Sequence, residues 1–242
     1  MKFGIVGGIG PASTLLYYDQ IINRVYSSTG DYPELVIDSI DMNRMLASFE
    51  RGDDDAICDQ LVGSIFNLRM AGADFAAISA NTPHILFERI NDRSPLPLLS
   101  IVEATVDQIA EARYRKVLVL GTGFTMKSRL YDLALECRGV ATAPLSEEQA
   151  DMLHPLFVPN LENGIVVPED KARVIAFCEE IIVRESVDAV VLGCTEIPLM
   201  IREGDLSVPT VDTTGIHIRA IADILITDAV IAGSTLGPKE DR

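Results

Sequence analysis

The stretch Val190-Val191-Leu192-Gly193-Cys194-Thr195-Glu196-Ile197-Pro198 places one thiol between an apolar run and two polar groups. A thiol can give and take a proton, and it does so as part of a polar cluster rather than alone. An earlier stretch, Ala76-Ala77-Ile78-Ser79-Ala80-Asn81-Thr82-Pro83-His84, has the same outline with alanine where the cysteine stands. Two thiols would serve both faces of one carbon, and one thiol would serve a single face. The difference between Ala80 and Cys194 therefore decides which proton chemistry the chain can perform.

Each stretch reads as a buried strand ending in a turn, and the surrounding pattern supplies the rest of the frame. Lys2 to Val6 is a first strand running into the turn Gly7-Gly8-Ile9-Gly10-Pro11, followed by a helix from Ala12 to Tyr26 started by Pro11 and the Ser13/Thr14 pair. A strand, a glycine turn and a helix N-terminus together offer backbone N–H groups to an anion. The spacing is not GxGxxG and no acidic ribose-binding residue follows, so a dinucleotide is not expected. Leu35 to Ile40 is the second strand, with Asp41 to Arg44 as a loop and the acidic run Arg51 to Asp55 opening a helix over 56–71. Phe75 to Ser79 is the third strand, a helix begins near Thr82-Pro83, and a short strand at 98–101 precedes a helix over 102–112.

A second cycle then begins. Lys116 to Gly123 repeats the plan of Lys2 to Gly8, with a helix over 126–137 after it. The segment 146–163 looks helical but is interrupted by Pro155 and Pro159. A helix over 172–185, the strand 187–192, a short strand 210–212 and a closing helix 216–232 complete the chain, with a frayed tail from Gly233. Gly7 and Gly121, and likewise Ala80 and Cys194, stand 114 positions apart, and Asp74 and Asp188 share that offset. Such a repeat predicts an α/β fold of two pseudo-symmetric lobes, each a parallel sheet flanked by helices. The expected bounds are 1–98 plus 212–242 for one lobe and 99–211 for the other. Ligands collect outside the carboxyl ends of parallel strands, which predicts an active site in the cleft between the lobes.

With 242 residues, 48% of them hydrophobic, and a positive mean hydropathy, the chain is globular. A formal charge of −16 argues against binding nucleic acid or an anionic membrane surface. No signal peptide or apolar run of ~20 residues stands out, so the expected location is the cytoplasm. Cys58, Cys137, Cys178 and Cys194 show no CxxC pairing and no zinc-ligand spacing with His84, His154 and His217. No metal is expected, and Cys58 and Cys178 read as small core residues.

Four motifs together, Gly7-Gly8-Ile9-Gly10-Pro11, Asn81-Thr82-Pro83-His84, Gly121-Thr122 with Thr125-Met126, and Gly193-Cys194-Thr195-Glu196, resemble the aspartate/glutamate racemase superfamily from residue 2 to about residue 230. That superfamily includes glutamate, aspartate and hydantoin racemases, maleate isomerase and arylmalonate decarboxylase. The resemblance implies a cofactor-independent enzyme, without pyridoxal phosphate, in which one cysteine per lobe serves as thiolate base or thiol acid on opposite faces of a substrate α-carbon. It also implies that Asn81, Thr82, Thr122 and Thr195 hold the substrate carboxylate, with Gly8 and Thr125 in the same pocket, and it fits a homodimer acting on a small amino acid or carboxylate.

Ala80 occupies the first cysteine position of that pattern, and alanine cannot exchange a proton. Three readings follow: a racemase or epimerase in which Ser79, Thr82 or His84 serves that face, a single-cysteine decarboxylase or isomerase like arylmalonate decarboxylase, or a binding protein that keeps the fold. Aspartate racemases of this kind hold the distal carboxylate with a basic pair. Arg44 would be the arginine, while Glu162 stands where a lysine would be expected. Glu196 is placed to orient His217 or the substrate ammonium.

Overall fold

The computed structural model describes residues 1–158, 160–161 and 164–235. Strand β1 (Lys2–Gly7) is buried along almost its whole length, and its continuous apolar run is what a strand covered on both faces requires. The chain then forms α1 (Pro11–Thr29), β2 (Glu34–Ser39), α2 (Met42–Arg51), α3 (Asp54–Met70) and β3 (Phe75–Ile78). A 3₁₀ helix, Thr82–Leu86, leads into α4 (Phe87–Arg93), β4 (Leu98–Leu99) and α5 (Ile101–Glu111). The second cycle comprises β5 (Lys116–Gly121), α6 (Gly123–Lys127), α7 (Asp132–Glu136), β6 (Ala141–Thr142), α8 (Glu147–Phe157), α9 (Pro168–Glu185), β7 (Ala189–Gly193), α10 (Ile197–Met200), β8 (Thr210–Asp212) and α11 (Thr213–Thr235).

Two four-stranded sheets result, β2-β1-β3-β4 and β6-β5-β7-β8, with every neighbouring pair parallel. The strand order is the same in both, as the repeat predicts. The equivalent acids do equivalent work: Asp74 Oδ2 accepts the Lys2 N–H at 2.7 Å, and Asp188 Oδ2 accepts those of Arg115 and Lys116 at 2.7 and 3.1 Å. Each therefore satisfies the backbone where the first strand of its sheet begins.

The chain forms two compact units, one made of Met1–Ser79, Glu88–Leu99 and the chain from Ile218, the other of Ala80–Phe87 and Ser100–His217. Relative to the bounds expected from the repeat, residues 80–87 and 212–217 fall in the second unit and Leu99 in the first. The reason is polar as well as apolar, because Asn81, Thr82 and His84 hydrogen-bond to partners in that unit. The first unit packs Phe3, Ile5, Tyr17, Ile21, Phe75 and Ile221 on one side of its sheet. The second has a core on each side, one around Leu118, Leu156, Cys178 and Leu192, the other around Val117, Tyr131, Val191 and Ile216. Cys58 and Cys178 are fully buried core residues, and burial pushes the Cys178 thiol up to about 12.

Several local expectations change. Residues 42–44 are not a loop: Asp41 caps α2 by accepting the Asn43 and Arg44 N–H groups at 3.0 and 3.2 Å, so Arg44 sits in the first helical turn. The helix expected over 126–137 is split into α6 and α7, with Arg129 at the break in the left-handed region, φ 56°. Ser13 and Thr14 do not cap α1, which starts on Gly10 and Pro11, because their hydroxyls turn to Ser79 O and to the Gly8 N–H. Pro155 lies inside α8, while Pro159 is outside the described residues. The closing helix runs through Thr235, so 233–235 are helical, and the rest of the expected tail is outside the described residues. Among the described residues, no helix is long and apolar enough to cross a membrane.

Candidate active site

Cys194 stands one residue beyond β7, and the residue before it must be small. A Cβ on Gly193 would lie 2.7 Å from the Leu120 carbonyl oxygen on the neighbouring β5, so only glycine lets the two strands run this close up to the cysteine. Cys194 is 7% exposed. Its Sγ–H donates to Glu196 Oε2 at 3.1 Å, and the Thr195 hydroxyl donates to the same oxygen at 2.6 Å. Glu196 is itself buried. A thiol, a hydroxyl and a carboxyl thus share one focus, which is the composition that proton transfer to and from carbon requires. His217, fully buried, meets His84 edge-on with ring centroids 6.4 Å apart.

The turn after β3 is built around its polar side chains. Tyr131 OH donates to Asn81 Oδ1, Asn81 Nδ2 donates to Thr213 Oγ1 at 3.2 Å, and Thr213 Oγ1 donates to Leu192 O at 2.9 Å. This chain of bonds ties the turn at 80–84 to the strand that delivers Cys194. It also occupies the Asn81 carbonyl and one of its two amide hydrogens, so the second lies outside this chain of bonds. Burial holds the Tyr131 phenol well above its ordinary range, so the ring is a neutral donor. Tyr131 and Thr213 were not legible as part of the site, since neither belongs to one of the motifs.

Thr82, Thr122 and Thr125 form a triangle of hydroxyls, with Oγ1 separations of 3.2, 3.4 and 3.2 Å. Thr122 caps α6 through the Thr125 N–H at 3.3 Å, which fixes one corner of the triangle. Thr82 and Thr122 are half-buried, whereas Thr125 is buried. His154, another residue without a motif, accepts the Gly123 N–H on Nδ1 at 3.2 Å and braces the same turn from α8.

Ala80 is buried and offers only a methyl group. Of the nearby groups expected to replace a cysteine there, Ser79 Oγ donates to Val6 O at 3.1 Å, and His84 uses one ring nitrogen on Ala80 O at 2.9 Å and the other on the Ile101 N–H at 3.3 Å. Thr82 remains as the half-buried hydroxyl.

Gly8 and Arg44 belong to the first unit. The Gly8 N–H donates to Thr14 Oγ1 at 2.9 Å and that of Gly10 to Met42 Sδ at 3.4 Å, so both are engaged inside the protein rather than held open for an anion. The Arg44 side chain is exposed and makes no ion pair among the described residues. Glu162, the residue where a second basic group would be expected, lies outside the described residues. Among the described residues no group of three or more His, Cys, Asp or Glu side chains is arranged to hold a metal.

Comparison with known proteins adds to this geometry. A sequence model of the family described as Asp/Glu/Hydantoin racemase matches residues 6–221. The chain is 25% identical to the broad specificity amino-acid racemase RacX of Bacillus subtilis over 87% of its own length and 92% of RacX. Among solved structures, an aspartate racemase homologue from Pyrococcus horikoshii superposes with a TM-score of 0.79 at 33% identity, covering 93% of this chain and 98% of the other. The aspartate racemase of Picrophilus torridus gives 0.70 at 25% identity, covering 94% of each chain. Matches to curated glutamate racemases span about half of those proteins, 51% in the first of them.

Proposed function

Since the chain belongs to the Asp/Glu/Hydantoin racemase family, we propose that it moves the α-proton of an amino acid with the Cys194 thiol as the proton-carrying group and without pyridoxal phosphate. The observation that carries this reading is the Cys194 Sγ–H to Glu196 Oε2 hydrogen bond of 3.1 Å in a buried setting. Glu196 accepts the thiol proton, the thiolate takes the proton from the α-carbon, and the electron pair left on that carbon spreads into the substrate carboxylate. The carboxylate needs donors around it at that moment. Asn81, Thr82 and Thr122 supply them in this reading, while the Thr195 hydroxyl, already given to Glu196 Oε2, supports the carboxyl beside the thiol instead; Arg44 is the candidate for holding a distal acidic group. Returning the proton reverses each step.

Racemisation also needs a donor on the opposite face, the face assigned to position 80. Thr82 is the hydroxyl best suited to relay a proton there. A one-faced reaction, in which Cys194 alone exchanges or delivers the proton, is the second reading; the commitment of Ser79 and of both His84 nitrogens to backbone partners favours it. It includes a decarboxylase that protonates an enediolate after carbon dioxide leaves. In both readings the protein acts as a cytoplasmic homodimer on a small amino acid or carboxylate.

Incubation with single enantiomers of the amino acids in deuterium oxide tests this. Racemisation with α-deuteration supports the first reading, and deuteration with retained configuration supports the second. If no amino acid exchanges, α-proton transfer is lost as the function, and substituted malonates should be assayed for carbon dioxide release.

A further inference from the structure

His84 is a buried titratable side chain that the proposed proton transfer does not use. Its geometry is nonetheless specific. Ala80 O, 2.9 Å from Nδ1, can only accept, so Nδ1 carries the hydrogen. The Ile101 N–H, at the first residue of α5, donates to Nε2 at 3.3 Å. One rigid ring therefore bridges the last carbonyl before the Asn81-Thr82 turn and the start of a helix that would otherwise leave that N–H unsatisfied. The ring stacks on Phe87 with centroids 5.2 Å apart and planes at 9°. Burial lowers its pKa to about 4, against an ordinary 6.5, so the bridge keeps a single protonation state near neutral pH.

Packing alone would accept a phenyl ring here. The two polar bonds do not, because they require a donor and an acceptor on opposite sides of one plane. The residues downstream of the bridged carbonyl are Asn81, engaged with Tyr131 and Thr213, and Thr82, a corner of the hydroxyl triangle. We propose that His84 is a positioning residue: its Nδ1–H tautomer ties the Ala80 carbonyl to the first turn of α5 and thereby aims the Asn81 amide and the Thr82 hydroxyl at a substrate carboxylate. This rests on the reading of those two groups as carboxylate donors beside Cys194.

The test uses two alkylating probes that differ in one respect. Iodoacetate carries a carboxylate and iodoacetamide does not; in both, sulfur displaces iodide, a sulfur–carbon bond forms and the thiol proton passes to solvent. Rates are mapped by mass spectrometry at Cys194 and at the exposed Cys137, which serves as the internal reference. In the native chain the iodoacetate-to-iodoacetamide ratio is expected to be higher at Cys194 than at Cys137. His84→Phe, which keeps the ring stacking, is expected to lower the Cys194 ratio about fivefold, the equivalent of roughly one hydrogen bond. His84→Gln, whose carboxamide has both a donor and an acceptor, restores it.

A native ratio at Cys194 equal to that at Cys137 overturns the proposal, as does an unchanged ratio in His84→Phe accompanied only by a lower melting temperature. Should His84→Phe not fold, His84→Asn, which keeps the donor and loses the reach to Ile101, is expected to give an intermediate ratio, and a native ratio there overturns the proposal equally. Absence of α-proton exchange by the native chain would end the racemase reading while leaving these ratios measurable, so the two failures are separable.

Discussion

Cys194 donates its thiol hydrogen to Glu196 Oε2 at 3.1 Å, and that one carboxyl oxygen also receives the Thr195 hydroxyl at 2.6 Å. The hydrogen bond fixes the direction of the sulfur, and the carboxyl gives its proton somewhere to go.

Replacing the carboxyl should separate those two effects. In Glu196→Gln the charge is gone while the shape remains, so alkylation of Cys194 by iodoacetamide at neutral pH is expected to accelerate. Exchange of the α-proton is expected to slow by about 100-fold, the usual scale for a lost acid–base partner. If both rates stay as in the native chain, Glu196 is a bystander.

Cys194→Ser should lower α-proton exchange by about 1,000-fold or more, because a serine hydroxyl is a far weaker acid and base at neutral pH. Its melting temperature should hardly move, since the replacement differs by one atom. Ala80→Cys addresses the other face: if the native chain exchanges deuterium without inverting, this variant is expected to gain inversion, measured by chiral chromatography. Failure to gain it would disconnect position 80 from the reacting carbon.

Stability should fall in mild acid because of His84. Its pKa in the folded chain is about 4, below the ordinary 6.5, so between those values the unfolded chain takes up a proton that the folded chain refuses. Stability is unaffected by this group above pH 6.5 and declines as the pH drops toward 4, by roughly 3 kcal/mol in total. Urea titrations across that window should show the slope, and His84→Phe should flatten it. A native slope retained in that variant would assign the effect to other groups.

Tyr131→Phe removes the hydroxyl that donates to Asn81 Oδ1. The buried carbonyl left behind should cost about 1–3 kcal/mol in stability. A rise in KM with a smaller change in kcat is expected as Asn81 loses its orientation. Stability lost without any shift in KM would restrict Tyr131 to the core.

Gly8 combines φ +83° with a site where a Cβ would lie 2.5 Å from Ile40 O. Gly8→Ala is therefore expected to destabilise the chain by about 2–4 kcal/mol, with strain and overlap adding. A stability within measurement error of the native chain would mean that the β1–α1 turn yields more readily than its contacts imply.

The strands were the legible part of this fold. Parallel strands covered on both faces read as nearly continuous apolar runs, and Phe3 to Gly7 and Val117 to Gly121 are such runs, each closed by glycine. The repeat between them announced two sheets of one design. The break at Arg129 was hidden because a left-handed residue that is neither glycine nor asparagine leaves no mark in the pattern. The helix containing Arg44 was missed although Asp41 is a capping residue type, since only its bonds to the Asn43 and Arg44 N–H groups distinguish a cap from a loop acid. At the site, Cys194 with Thr195 and Glu196 could be read directly, being neighbours in sequence. The Tyr131, Asn81 and Thr213 chain could not, because hydrogen bonds between residues 50 and 132 positions apart exist only after folding.

The segment Ala80–Phe87 belongs to the second unit although it is encoded within the first. During synthesis it leaves the ribosome long before the residues it bonds to. The second unit has its full set of residues only once His217 has emerged, and the first must wait longer still, for the rest of α11 from Ile218. The part of the chain made first is thus the last to be completed, and a nascent chain exposes the turn that bears Asn81, Thr82 and His84 throughout that interval. Neither unit can be cut out of the gene as one uninterrupted piece.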